Sequence, residues 1–132
     1  MIALRRVFAA TAVATVIACS GDGTGPVAGM LTVNLTTPNS GSDGAVMLIL
    51  SSPVAPTSVA ASAGLALWGA PVTTTSAKLV LTGTLSTGPI FTLQVDDVNK
   101  VAQYTVALVQ VAPSNPQQPL RALTGYSATV TK

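Results

Sequence analysis

The chain has no histidine and no glutamate, one cysteine, one tryptophan, and charge on only 8% of its 132 residues. Each scarcity closes a class of chemistry. Without histidine the commonest general base near neutral pH and the commonest metal ligand are both missing, so a serine nucleophile relay cannot be assembled. Without glutamate, Asp22, Asp43, Asp96 and Asp97 are the whole supply of carboxylate side chains. Asp96 and Asp97 are adjacent at the end of an expected strand, where successive side chains point to opposite faces, so they cannot share a proton or flank one sugar bond. The sequence therefore reads as that of a protein that is not an enzyme and uses neither cofactor nor metal.

The same economy governs the remaining oxygen-bearing residues. Asp96, Asp97 and Asn99 read as a solvated loop beside Lys100 rather than a cation site, and Asn39 and Asp43 as turn residues that satisfy their own backbone. Two of the six basic residues, Arg5 and Arg6, fall in the N-terminal segment. Beyond them Lys78, Lys100, Arg121 and Lys132 balance the four aspartates, and a neutral body without a basic stripe has no electrostatic means of holding phosphates. Nucleic acid is excluded as a partner.

What is present begins with an N-terminal pattern. Arg5 and Arg6 precede an apolar run, Val7 to Ala18. Twelve helical residues reach about 18 Å, short of the ~30 Å of hydrocarbon, so a secretory signal is expected over residues 1–18 rather than a permanent span. The run closes on Val16-Ile17-Ala18-Cys19, and this stretch resembles the lipobox of bacterial lipoproteins. The resemblance implies cleavage before Cys19 and acylation of its sulfur, with lipid attachment at Cys19 tying the chain to the membrane. Two or three acyl chains would make that anchor permanent. Ser20 stands where an acidic residue would resemble an inner-membrane retention signal, which favours the outer membrane or cell surface. Residues 19–29, rich in glycine, read as a flexible linker.

From Met30 the governing signal is a period of two, which sets residues 30–132 as one all-β domain. Leu31, Val33 and Leu35 alternate with Thr32, Asn34 and Thr36, and Ala45 to Leu50 is a continuous apolar run suited to a central strand. Two short strands are expected around Thr57 to Ala61 and Leu65 to Trp68, although Val59, Ala63 and Leu67 also fit a helical spacing. Ala77, Leu79 and Leu81, then Phe91, Leu93 and Val95, suggest a hairpin turning at Ser86 to Pro89. Val101 to Ala112 is long for one strand and its polar phase changes, so a bulge or a change of sheet is expected near Ala107 to Val109. A proline-rich loop and a last strand from Tyr126 complete an antiparallel β-sandwich of about seven or eight strands.

The succession "SDGAVMLILSSP", "LVLTGTLSTGPIFTLQVDD", "YTVALVQVA" and "YSATVT" resembles small bacterial lipoproteins with a cohesin-like or carbohydrate-binding-like β-sandwich. The resemblance rests on hydrophobic pattern and glycine placement, and it implies an extracytoplasmic binding or assembly module of the cell envelope. Carbohydrate binding asks for exposed aromatic rings. Phe91, Tyr104 and Tyr126 occupy inward phases, which leaves Trp68 as the candidate ligand-binding residue. The first expectation is a lipid-anchored, non-catalytic binding or envelope-structural module with a protein or glycan partner. The second is a self-assembling or adhesive subunit, a homo-oligomer paired through strand edges, because edges are commonly guarded by lysine and this chain has few.

Overall fold

A computed structural model describes residues 25–132. The signal expected over residues 1–18, Cys19 as the expected lipid attachment, and the first half of the linker expected over residues 19–29 lie outside them. Eight strands follow in chain order: β1 (Gly29–Thr36), β2 (Asp43–Ser51), β3 (Ser58–Ala61), β4 (Ala66–Trp68), β5 (Ser76–Leu85), β6 (Gly88–Val95), β7 (Thr105–Pro113) and β8 (Ser127–Thr131). They form two four-stranded antiparallel sheets, sheet I in the order β3-β6-β1-β8 and sheet II in the order β4-β5-β2-β7. The all-β sandwich expected from the alternation is the fold.

The winding explains both sheets at once. β1 pairs with β8, β2 with β7, β3 with β6 and β4 with β5. The chain is thus one long hairpin closed at the β4–β5 turn, and the doubled ribbon is rolled so that successive strand pairs alternate between sheets, on the plan of a jelly roll. Rolling adds the seams β1–β6 and β2–β5. Facing each other inside are Leu31, Val33 and Leu35 of β1, Val46, Leu48 and Leu50 of β2, Leu79 and Leu81 of β5, and Phe91, Leu93 and Val95 of β6, all buried. Each such side chain contributes on the order of 2 kcal/mol over its exposed state. A slip of one residue would turn any of these rows to solvent, which fixes the register.

The turn at Ser86–Pro89 corrects the hairpin expectation. β5 lies in sheet II and β6 in sheet I, so the chain passes through the thickness of the sandwich there. Thr87 anchors the corner to the β1–β2 loop: its N–H donates to Ser40 Oγ at 2.9 Å, and its Oγ1 accepts the Thr37 N–H at 3.0 Å. Two strands that face each other across a core carry the same alternation as two strands paired side by side, so the pattern could not separate the cases.

The segment from Val101 is corrected in part. Val98–Gln103 is a short 3-10 helix capped by Asp97, and β7 begins only at Thr105. The phase change in β7 is a bulge, with Met47 opposite Gln110 and Leu48 opposite Leu108, which leaves Val109 as the extra residue. Residues around 57–68 form strands and not a helix. At the end of β4, Gly69 has φ +102, and a Cβ there would lie 2.5 Å from the carbonyl oxygen of Lys78. Only glycine lets the chain leave Trp68 this close to β5.

Candidate functional site

The alternation that fills the core also decides what each sheet shows to the outside, and the two outer faces differ. On sheet I a cross-strand row runs Ala60, Thr92, Thr32, Thr131, and beside it lie Ser58, Gln94 and Asn34. Asn34 Nδ2 donates to Thr131 Oγ1 at 3.1 Å. Apart from Met30, which pairs with Gln94 at one end and is 53% exposed, this face is hydroxyl and amide, suited to water. On sheet II the middle row runs Trp68, Val80, Met47, Gln110, flanked by the row Ala66, Thr82, Ala45, Ala112 and by Lys78, Ile49 and Ala107. This face is aliphatic, with one cation and no carboxylate.

Trp68 is 62% exposed on the edge strand β4. Its indole N–H points to Thr82 Oγ1 at 3.5 Å, the limit of a hydrogen bond, so the ring lies along the sheet surface with its polar edge scarcely used. Beside it the face dips into a depression of about 90 Å³ lined by Ala45, Met47, Val80, Gln110, Ala112 and Leu120. That volume matches a few methylene groups or about three waters. Leu120 comes from the loop after β7 and is 56% exposed. It is held there by its neighbour, because the Arg121 N–H donates to the Val111 carbonyl at 2.8 Å and lays this part of the loop along the β7 edge.

The Arg121 side chain turns the other way, toward the end of the sandwich, where it meets Asp43. The Asp43 carboxylate is 0% exposed and accepts from Arg121 Nε at 3.0 Å, from Thr37 Oγ1 at 2.5 Å, and from the Tyr126 hydroxyl at 3.0 Å to each oxygen. Asn39 Nδ2 donates to the same tyrosine oxygen at 2.9 Å. This corrects the reading of Asn39 and Asp43 as a self-satisfied turn: the bulge at Gly44, where the β2 register shifts, aims Asp43 between the sheets. Tyr126, expected to be core, is half-buried and spends its hydroxyl here. Nothing in the spacing of residues 43, 121 and 126 marks them as partners.

At the opposite end, Asp97 caps the 3-10 helix, accepting from Asn99 N at 3.0 Å and from Val27 N at 3.3 Å. Both bonds fall on Oδ1, which is thereby committed to backbone. Tyr104 is 3% exposed, and its hydroxyl has no hydrogen-bond partner among the described residues. Burial, then the nearby Asp96 and Asp97, push this phenol above its ordinary value of 10.0. Phe91 is fully buried, so Trp68 is the one aromatic ring lying open on a surface among the described residues. The exposure of Trp68 fits its place among glycine and proline in the sequence, but the sequence could not supply Val80 beside it, nor Met47, Gln110 and Leu120 around the adjoining depression.

Comparison with protein-family models, with characterised proteins and with solved structures finds no match to this chain.

Proposed function

We propose that the protein is a non-catalytic module of the cell envelope, anchored through an acylated Cys19, which works by laying the outer face of sheet II against an apolar partner surface. The observation that carries this reading is the contrast between the two outer faces. A sheet face turned to water is normally polar, as sheet I is apart from Met30 at one end, whereas sheet II gathers exposed Trp68 and Leu120 with half-buried Val80, Met47 and Ile49 in one field. The lack of histidine and glutamate, together with the burial of Asp43 under Arg121, supports a binding role over catalysis.

Pairing through strand edges is the weaker reading at β7, one of the four edge strands. The β7 edge carries a bulge at Val109, ends at Pro113, and is covered at Val111 by Arg121, and each of these devices obstructs an incoming strand. Hydroxyl-radical footprinting of the protein in intact envelopes and after extraction tests the reading. Trp68 and Met47 should be oxidised several-fold less in the envelope, while residues of sheet I label equally in both. Equal labelling of Trp68 in the two states would refute it. Intact mass of the extracted protein reports the anchor separately: a chain beginning at Cys19 and carrying acyl groups is the expected species.

A further inference from the structure

The outer face of sheet II has a size and a charge that select among partners. Four strands about 4.8 Å apart, carrying three rows of outward side chains, give a field on the order of 400 Å². A stable protein pair buries about 800 Å² of accessible surface on each side, so this face by itself falls short of what a second copy would need. Its polar complement is thin for a sugar: Gln110, Thr82 and Lys78 stand at its margins, and the depression beside Trp68 is lined almost wholly by carbon. An indole lying flat, aliphatic side chains around it, one lysine and no carboxylate is the composition of a surface that settles at a lipid headgroup boundary.

The route of the chain brings such a surface within reach. Val27 is fixed to the domain, its carbonyl accepting from Val98 N at 2.8 Å and its N–H bonded to Asp97. Eight chain steps separate it from Cys19, and at ~3.5 Å each they span no more than about 28 Å. The sheets are about 10 Å apart, so a tether leaving the end of sheet I can round the sandwich and let sheet II lie flat on whatever holds Cys19. Wherever the apolar run Val7 to Ala18 delivers the chain, the nearest large apolar surface is the bilayer.

We propose that the outer face of sheet II, centred on Trp68, Val80, Met47 and Leu120, rests on the lipid surface to which the N-terminal segment ties the protein. The threonine-rich face of sheet I is then the one turned away. The proposal rests on the reading of sheet II as a docking face and names the occupant as lipid. It makes the protein a module that lies on its membrane, with two attachments: the anchor at Cys19 and an interfacial contact about as wide as the sheet.

Trp68 is the only tryptophan in the chain, so its emission reports this face alone. The full chain would be reconstituted in vesicles of phosphatidylcholine with a minority of phosphatidylglycerol, with and without brominated acyl chains. The expected result is a blue-shifted emission, quenching by brominated lipid and protection from aqueous iodide. Val80→Glu, and independently the loop variant Leu120→Glu, should reduce brominated-lipid quenching about tenfold, whereas Thr92→Glu on sheet I should leave it unchanged. Emission typical of water with full iodide access would overturn the proposal. So would protection from iodide that grows with protein density and is untouched by brominated lipid, which assigns the face to a second copy. Wet Trp68 in vesicles combined with protection in intact envelopes would discard lipid while leaving the docking reading standing; exposure in both would discard the two together.

Discussion

Arg121 and Asp43, 78 positions apart in the chain, meet at 3.0 Å with the carboxylate wholly buried, and through them the loop after β7 is fastened to the start of β2. Removing either partner leaves a different deficit. Arg121→Ala strands a carboxylate among Thr37 and Tyr126 with no cation, and should cost about 3 kcal/mol, read as a fall of ~12 °C or more in Tm. Because one fifth of the Arg121 side chain is exposed, Asp43→Ala lets the guanidinium turn to water and should cost less. Replacing both, as Asp43→Leu with Arg121→Met, should recover most of the loss. A double variant as unstable as the sum of the singles would show that the pair is not one coupled unit.

The same fastening has a consequence on the far side of the β7 edge. Leu120 borders the apolar depression only while Arg121 holds the loop down, so Arg121→Ala should raise the hydrogen-exchange rate at the backbone of residues 114–122 well above that of β2 and β5. Unchanged protection of the Arg121 N–H, which bonds to Val111, would show that the backbone contact suffices without the ion pair.

Trp68 and Gly69 are neighbours with opposite expected effects. Trp68→Ala removes a ring that is mostly in water on a three-residue edge strand and should change stability by no more than about 0.5 kcal/mol, within a few degrees in Tm. Gly69→Ala adds one methyl to a residue at φ +102, against the Lys78 carbonyl, and should cost more than about 2 kcal/mol. Thermal melts of the two variants decide it. A large loss in Trp68→Ala would mean that the ring is a structural lid on β5 and not a free surface.

These contrasts show why the fold was legible and the surface was not. Leu31, Val33 and Leu35 alternate with Thr32, Asn34 and Thr36 because one face of β1 is dry and the other wet, and that pattern survives in any sequence window. The break in phase between Thr105 and Gln110 signals a bulge or a change of sheet for the same reason, and the structure resolves the two as a bulge at Val109. The partner of a strand leaves no such trace: β5 and β6 alternate identically whether they pair or face each other, which is why Ser86–Pro89 reads as a hairpin and acts as a crossing. Trp68 could be singled out because it sits among glycine and proline. Its neighbours Val80, Met47 and Gln110 come from β5, β2 and β7, and only sheet order brings them into one row. The Asp43 network joins residues 37, 39, 43, 121 and 126, and no local pattern encodes it.

Tyr104 gives the pH prediction. Its ring fills the end of the core next to the 3-10 helix, while its hydroxyl lacks a hydrogen-bond partner among the described residues. Burial and the two aspartates raise its pKa in the folded chain above the ordinary 10.0 that the unfolded chain recovers. Between those two values the folded state holds a proton that the unfolded state has released, so stability falls as pH rises through this window and is unaffected below it. Unfolding of the native chain should therefore show an alkaline loss of stability starting near pH 10. In Tyr104→Phe that loss should shrink. At neutral pH the same substitution deletes an unsatisfied buried hydroxyl and keeps the ring, so it should be neutral or stabilising by up to about 1 kcal/mol. Urea midpoints measured across the alkaline range for both proteins make the comparison. If Tyr104→Phe is destabilised at neutral pH by more than about 1 kcal/mol, the hydroxyl makes a hydrogen bond in solution, and a bridging water is the group to look for.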